Sequence, residues 1–291
     1  MNKNISFIIP CFNCETTLSD CIDSIFKGNF FEGDEIILVD DCSTDGTQNV
    51  IFQLKKKYNK IISIKHNINK GSAAASRNSA IDISQNDLLF CLDADNMLMP
   101  QTVPLLRKFL IENHLDAAAF GEIYYFKKDT HNLSATWYFN SSLNFIDALN
   151  YPQKTPCGSG NYLFSRDIWK KAGRFNESVG GALDSEVFGL SILGVGAKFK
   201  TLKGYGYFHR HGYQSTFIKE INKYNTSLIL LTGIIRYLHL IDSKSIDYMF
   251  GSGRTNWWYN TFKRPIKAAS GKEQVLKMKL KRRFSAVLER I

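Results

Sequence analysis

Leu88-Leu89-Phe90-Cys91-Leu92-Asp93-Ala94-Asp95 is an apolar run that stops on two carboxylates one residue apart. With Asp87 at its start it is too short for a helix and apolar at every interior position, so Asp87–Leu92 reads as a strand buried on both faces. Three earlier runs share that character: Ile5–Ile9, Glu35–Val39 and Ile61–Lys65. The stretches between them read as helices at about Glu15–Lys27, Gly46–Tyr58 and Ser72–Ser84. A further helix is expected from Pro100, a favoured first helical residue, towards Glu112. This alternation predicts an α/β fold with a mostly parallel, Rossmann-like central sheet flanked by helices. Asp116–Phe120 reads as another strand, after which the chain is irregular and aromatic-rich through Tyr151. The glycine-rich segment Gly158–Gly196 reads as mobile loops around a site, and the chain from Ile218 onward as helical.

The layout gives four polar clusters one address. Cys11-Phe12-Asn13, Asp40-Asp41, His66-Asn67 and Asp93-Ala94-Asp95 each follow the end of a strand, and open α/β sheets bind ligands in the crevice outside those ends. Asp93 and Asp95 suit a hard divalent cation completed by substrate phosphates; they equally suit capping of the helix that follows. Asp40-Asp41 run into the turn Cys42-Ser43-Thr44-Asp45-Gly46, where Ser43, Thr44 or Asp45 suffices as a cap. Two more acids at the end of a buried strand suggest hydrogen bonds to a ligand such as a nucleobase or ribose.

Composition bounds the alternatives. With 291 residues, 44% of them hydrophobic, the chain can bury one sizeable core. The formal charge of +10 divides into +2 over residues 1–262 (27 basic, 25 acidic) and +8 over residues 263–291 (10 basic, 2 acidic). That distribution disfavours a nucleic-acid groove in the main body. Asn2-Lys3-Asn4 leads into a short apolar run ended by Pro10, unlike a signal peptide, which sets the expectation of a cytoplasmic protein. Leu228 to Ile241 is interrupted by Arg236 and His239, falls short of the roughly 20 residues a membrane span needs, and reads as a buried helix. The six cysteines read as reduced core thiols; Cys11 and Cys14 form a C-x-x-C without the two further ligands a zinc site requires. In the tail, Leu276, Leu280, Phe284, Val287, Leu288 and Ile291 recur at near-helical spacing among Lys277, Lys279, Lys281, Arg282 and Arg283. Such a helix fits an anionic membrane surface, with Trp257-Trp258-Tyr259 and Phe262 at headgroup level, or a solvated helix packed on the main body.

The motifs form an ordered series that resembles the inverting glycosyltransferases of family 2. It runs through Ile8-Ile9-Pro10-Cys11-Phe12-Asn13, Val39-Asp40-Asp41-Cys42-Ser43-Thr44-Asp45-Gly46-Thr47 and Asn67-Ile68-Asn69-Lys70-Gly71. It continues with Ala75-Ser76-Arg77-Asn78, Leu92-Asp93-Ala94-Asp95-Asn96, Gly158-Ser159-Gly160-Asn161-Tyr162-Leu163-Phe164 and Ala172-Gly173-Arg174-Phe175-Asn176-Glu177. The resemblance covers roughly residues 4 to 216 and implies the A-type glycosyltransferase fold. It implies a catalytic domain over 1–217, with a nucleotide-sugar half (1–98) and an acceptor half (99–217), then a helical C-terminal extension over 218–291. Pro10, Phe12, Asn13, Glu15 and Asp41 would line the nucleoside pocket, and Arg77 would lie near the donor's sugar or diphosphate. Asp95, with Asp93 in support, would hold Mn2+ or Mg2+ and through it the diphosphate. Asp184 of Leu183-Asp184-Ser185-Glu186 would be the catalytic base, with leucine where the family has an acidic neighbour. Tyr207-Phe208-His209-Arg210-His211-Gly212 with Ser215-Thr216 resembles a late element that closes over the diphosphate. There His211 is a candidate third metal ligand and Arg210 a phosphate partner, although an exposed loop could carry the same residues. The donor expected from the family is a UDP-sugar and the acceptor a glycan or lipid-linked hydroxyl.

Two rivals frame this expectation. A dehydrogenase, P-loop kinase or sugar nucleotidyltransferase would carry a glycine-rich loop after its first strand, where this chain has Pro10-Cys11-Phe12-Asn13. A catalytically silent module that retains the nucleotide pocket is kept open by Leu183.

Overall fold

The computed structural model of the protein describes residues 4–179, 183–211 and 232–245. The first half alternates as the apolar runs predict: β1 (Ile5–Cys11), α1 (Leu18–Phe26), β2 (Glu35–Asp40), α2 (Thr47–Lys57), β3 (Ile61–Lys65), α3 (Ala73–Ile83) and β4 (Leu88–Cys91). Then come β5 (Met97–Leu98), α4 (Thr102–Glu112), β6 (Ala117–Phe126), β7 (Leu133–Tyr138), β8 (Ser142–Leu143), α5 (Phe145–Asn150), β9 (Leu163–Ser165), α6 (Arg166–Lys171), α7 (Asp184–Gly194) and β10 (Phe199–Arg210).

One sheet runs in the order β3-β2-β1-β4-β9-β6-β10-β5, with β7 on β6 and β8 on β10. The first four strands of that order are mutually parallel. β9 joins them to the second half through antiparallel pairing with both β4 and β6. Helices cover both faces. One core packs Ile8, Ile37 and Phe164 against α3, α5, α6 and α7, and the other packs Phe7, Ile36 and Phe90 against α1 and α4. β1, β2 and β4 are buried along almost their whole length, which is why they are continuous apolar runs.

Four expectations need correction. Pro100 is not a first helical residue: Gln101 takes a left-handed backbone (φ 60°) and α4 starts at Thr102. Residues 158–196 are not mainly loops: β9, α6 and α7 lie within the segment, and Gly158 and Gly160 serve close packing, as shown below. β7 was hidden because it pairs with β6 while most of its residues stay exposed, so no buried alternation marks it. The expected buried helix over Leu228–Ile241 is, among its described residues, mostly a 3-10 helix at Ile235–Leu240, which buries Tyr237 and leaves Ile235 and Leu240 exposed. All six cysteines are free thiols, five of them buried. No helix among the described residues is long and apolar enough to cross a membrane. The basic tail of 263–291, Trp257-Trp258-Tyr259 with Phe262, and Gly212 with Ser215-Thr216 lie outside the described residues.

Candidate active site

The sheet order sets β3, β2, β1 and β4 side by side, so the four polar clusters share one edge. At the end of β1, half-buried Pro10 is followed by Phe12, which is 47% exposed. Asn13 and Cys42 both adopt left-handed backbone (φ 49° and 61°), and the two turns are tied together. Asn13 Oδ1 accepts from the Thr44 N–H at 2.8 Å, and Asn13 N–H donates to Ser43 Oγ at 3.0 Å. The Glu15 carboxylate accepts the Gly46 N–H ahead of α2 at 3.0 Å, which adds a third tie between the two turns.

The adjacent acids of β2 differ. Asp40 is fully buried and bonded to Ser43 and Gln48, which assigns it to the turn. Asp41 accepts from His66 Nδ1 at 2.7 Å and from the Lys70 N–H at 3.0 and 3.1 Å. The His66 contact has no trace in the sequence beyond its place at the end of β3.

Arg77 on α3 is the centre of the arrangement. Only 3% exposed, it donates from Nη1 to Asp184 Oδ2 at 2.6 Å and from Nη2 to Asp93 Oδ1 at 2.7 Å. Burial works against its charge, yet Asp184 and Asp93 hold it above its ordinary range. Arg77 is therefore a tether between two carboxylates, one of them in the Asp93-Ala94-Asp95 cluster. For Asp184, burial raises the pKa, Arg77 opposes the rise and Asp93 adds to it, leaving it above the usual carboxylate range. The other oxygen of Asp184 accepts from the Ser185 N–H. Asp93 is further held by Asn161, which accepts the Asp93 N–H at 2.8 Å and donates to Oδ2 at 3.1 Å.

Asp95 stands apart: among the described residues no ion pair holds its carboxylate, and the hydrogen bond it receives comes from its own backbone N–H. Burial, and then the nearby Asp93, push it up to about 7. A carboxyl held near neutrality beside a second carboxylate fits a divalent cation, which would supply the missing positive charge and take its remaining oxygens from phosphate and water. The three-residue set does not assemble, however: among the described residues no group of three His, Cys, Asp or Glu side chains is placed to hold a metal. His211 is exposed, its ring edge-on to Tyr125 at 6.0 Å. It is His209, unassigned from the sequence, whose Nδ1 is buried without a partner, its pKa lowered by burial while Asp93 pulls the other way. Arg210 reaches the Asp95 loop, its Nε donating to the Asp95 carbonyl at 3.2 Å, but its charge is paired with Asp20 at 3.0 Å.

The 158–160 segment packs on the first turn of α7. A Cβ at Gly160 (φ +68°) would meet Ser185 Oγ at 2.5 Å, and one at Gly158 would meet Glu186 Oε2 at 2.7 Å. Glu186 is buried, its Oε1 lacks a partner, and desolvation pushes it up to about 8. Because its folded pKa lies above the unfolded value near 4.5, the folded state binds the extra proton, and stability is lost as pH rises through that window. Glu186→Gln should therefore gain thermal stability over the native chain progressively from about pH 5 to pH 8 and level off above. Melting curves at pH 5, 7 and 9 check this; a constant offset across the series would contradict it.

Comparison with known proteins follows the same outline. The family model described as "Glycosyl transferase family 2" matches residues 6–172. A poly(ribitol-phosphate) beta-glucosyltransferase of Bacillus spizizenii is 35% identical over 113 residues, 38% of this chain and 18% of that protein. The chain thus spans less than a fifth of that relative's length. Among solved structures, Staphylococcus aureus TarS 1-349 in complex with UDP-GlcNAc superposes with a TM-score of 0.68 at 17% identity, covering 93% of this chain and 78% of that one. The mannosyltransferase PcManGT of Pyrobaculum calidifontis, in complex with GDP-Man and Mn2+, superposes with a TM-score of 0.61 at 16% identity over 98% of this chain and 83% of that one.

Proposed function

The chain belongs to glycosyl transferase family 2 and carries the A-type fold, and on that premise we propose that it is a metal-dependent inverting glycosyltransferase. Its donor is a nucleoside diphosphate sugar, UDP-linked, and its acceptor a hydroxyl of a glycan or lipid-linked glycan, in surface polysaccharide or glycoconjugate synthesis. The observation that carries this reading is the Arg77 tether, which gathers Asp93 of the strand-end edge and Asp184 of α7 onto one guanidinium. The UDP-GlcNAc complex of the TarS neighbour supports the donor class, and the Mn2+ of the mannosyltransferase supports the metal.

In this mechanism the Phe12 face and the Asp41 carboxylate hold the nucleoside, and Asp95, with Asp93 in support, holds the cation. Asp95 and Asp93 would hold such a cation where its positive charge would offset the negative charge that the leaving diphosphate gains. Asp184 takes the proton from the acceptor hydroxyl as it attacks the anomeric carbon from the opposite face. Its raised pKa makes it a stronger base than a solvated carboxylate, and the bond from Arg77 fixes its orientation. Asn161 holds Asp93 through backbone and side chain, so the carboxylate pair keeps its place while the donor binds.

The metal part is tested with Asp95→Ala. In the native chain, UDP-glucose or UDP-GlcNAc with Mn2+ should raise the melting temperature well above the shift with EDTA, because a ligand that binds only the folded state stabilises it. Asp95→Ala should lose that metal-dependent increment while melting, without ligand, no lower than the native chain. A full Mn2+-dependent shift in the variant would remove Asp95 from the site. The silent-module reading draws on Leu183 beside Asp184 and on the ion pair that occupies Asp184, and is decided by the transfer assay described in the Discussion.

A further inference from the structure

His66 joins two elements that the sequence does not connect. Its Nδ1 lies 2.7 Å from Asp41 Oδ1 and its Nε2 lies 3.0 Å from Ser79 Oγ on α3. A carboxylate only accepts, so Nδ1 carries the proton and donates, which fixes the tautomer on that side of the ring. The Lys70 N–H is shared between the two Asp41 oxygens, at 3.0 Å to Oδ1 and 3.1 Å to Oδ2. A carboxylate offers about four lone-pair sites. Oδ1 therefore has both of its sites filled, and Oδ2 retains room for one donor. The His66 and Asp41 side chains are 12% and 7% exposed, so little water competes for these bonds.

We infer that His66 is a positioning residue that presents Asp41 to the donor's base as a single-acceptor carboxylate, and so selects uracil over guanine. The uracil edge brings one N–H, at N3, to a carboxylate. Guanine brings two, from N1 and its exocyclic amine, and needs both oxygens free. With Oδ1 saturated, guanine leaves one buried donor unpaired, whereas uracil is satisfied. The inference rests on the nucleoside pocket proposed above and adds the determinant of its base preference.

The test measures UDP and GDP binding by calorimetry in Mn2+ buffer, with KM and kcat for a UDP-sugar, for the native chain and for His66→Ala, His66→Asn and Ser79→Ala. The native chain should prefer UDP. His66→Ala should weaken UDP binding by roughly ten- to a hundredfold, the scale of a hydrogen bond to a charged group. It should also narrow the UDP-to-GDP ratio, because Oδ1 is released. KM should rise with kcat nearly constant. The amide of His66→Asn can donate to Asp41 and should recover part of the preference. Ser79→Ala should move the ratio the same way by less, and it carries the test should His66→Ala not fold. An unchanged ratio in both His66→Ala and Ser79→Ala overturns the inference, as does an equal loss for both nucleotides with a parallel fall in kcat. A native preference for GDP overturns it as well. If the native chain binds UDP tightly and the variants match it, the inference fails while the proposed function stands; if the native chain binds neither nucleotide, both fail.

Discussion

Asp184→Asn is expected to lower sugar transfer by about 10²- to 10⁴-fold, the usual contribution of a positioned general base, with donor affinity nearly unchanged. Asparagine keeps the shape of the side chain and an oxygen for Arg77 Nη1, while Asp93 retains its own bond to Nη2. The fold should therefore survive the loss of the proton acceptor. The pH profile provides a second readout. Burial and Asp93 leave the Asp184 pKa above the usual carboxylate range, even with Arg77 opposing. The native rate should thus keep rising with pH beyond the point where a solvated aspartate is fully ionised, and the residual rate of the variant should lack that limb. Initial rates with a UDP-sugar and calorimetric donor binding decide the matter. Transfer within a few-fold of native would end the assignment of Asp184 as base.

Arg77→Met should have the largest effect on stability. The guanidinium is nearly inaccessible, and both of its ionic partners converge on it. Removing it leaves Asp184 buried without its cation and Asp93 without its nearest one, a loss of about 3–5 kcal/mol for breaking a buried pair. In a chain of this size that corresponds to a melting temperature lower by roughly 6 to 20 °C. Adding Asp184→Asn to Arg77→Met should recover part of the loss, because one stranded charge is then neutral. The coupling is read from the double-mutant cycle in urea. A Met variant as stable as the native chain would show that water reaches and solvates the pair.

The first half of the fold was legible because its physics is local. Strands buried on both faces leave continuous apolar runs such as Ile36-Ile37-Leu38-Val39, and the turns between strand and helix carry their own capping residues. The shared address of the polar clusters followed from the same pattern, and the strand order β3-β2-β1-β4 bears it out. What stayed hidden depends on partners far apart in the chain. Arg77 meets Asp184 across 107 positions, and Asp41 meets His66 across 25; neither pairing imposes a period on the residues between. The glycines of 158–160 looked like mobility because a sequence does not distinguish a glycine needed for freedom from one needed for closeness. At Gly160 both reasons act: its backbone is left-handed (φ 68°), and Ser185 and Arg77 crowd the place of a Cβ. The histidines at the end of β10 show the same limit: two residues apart, they would share one face of a continuing strand, and what separates them is that β10 ends at Arg210 and leaves His211 exposed beyond it.

The pairing of β4 with β9 bears on how such enzymes can be recombined. Cys91 and Tyr162 are bonded across that seam, and beside it Asn161 holds Asp93 through both its backbone and its carboxylate. The two halves of the sequence are thus not interchangeable cassettes. A chimera that keeps residues 1–98 and borrows its second half from a relative with another acceptor must import a compatible asparagine and the tight 158–160 turn. Without them, the borrowed half would loosen the hold on Asp93, a carboxylate that the proposed function places at the donor.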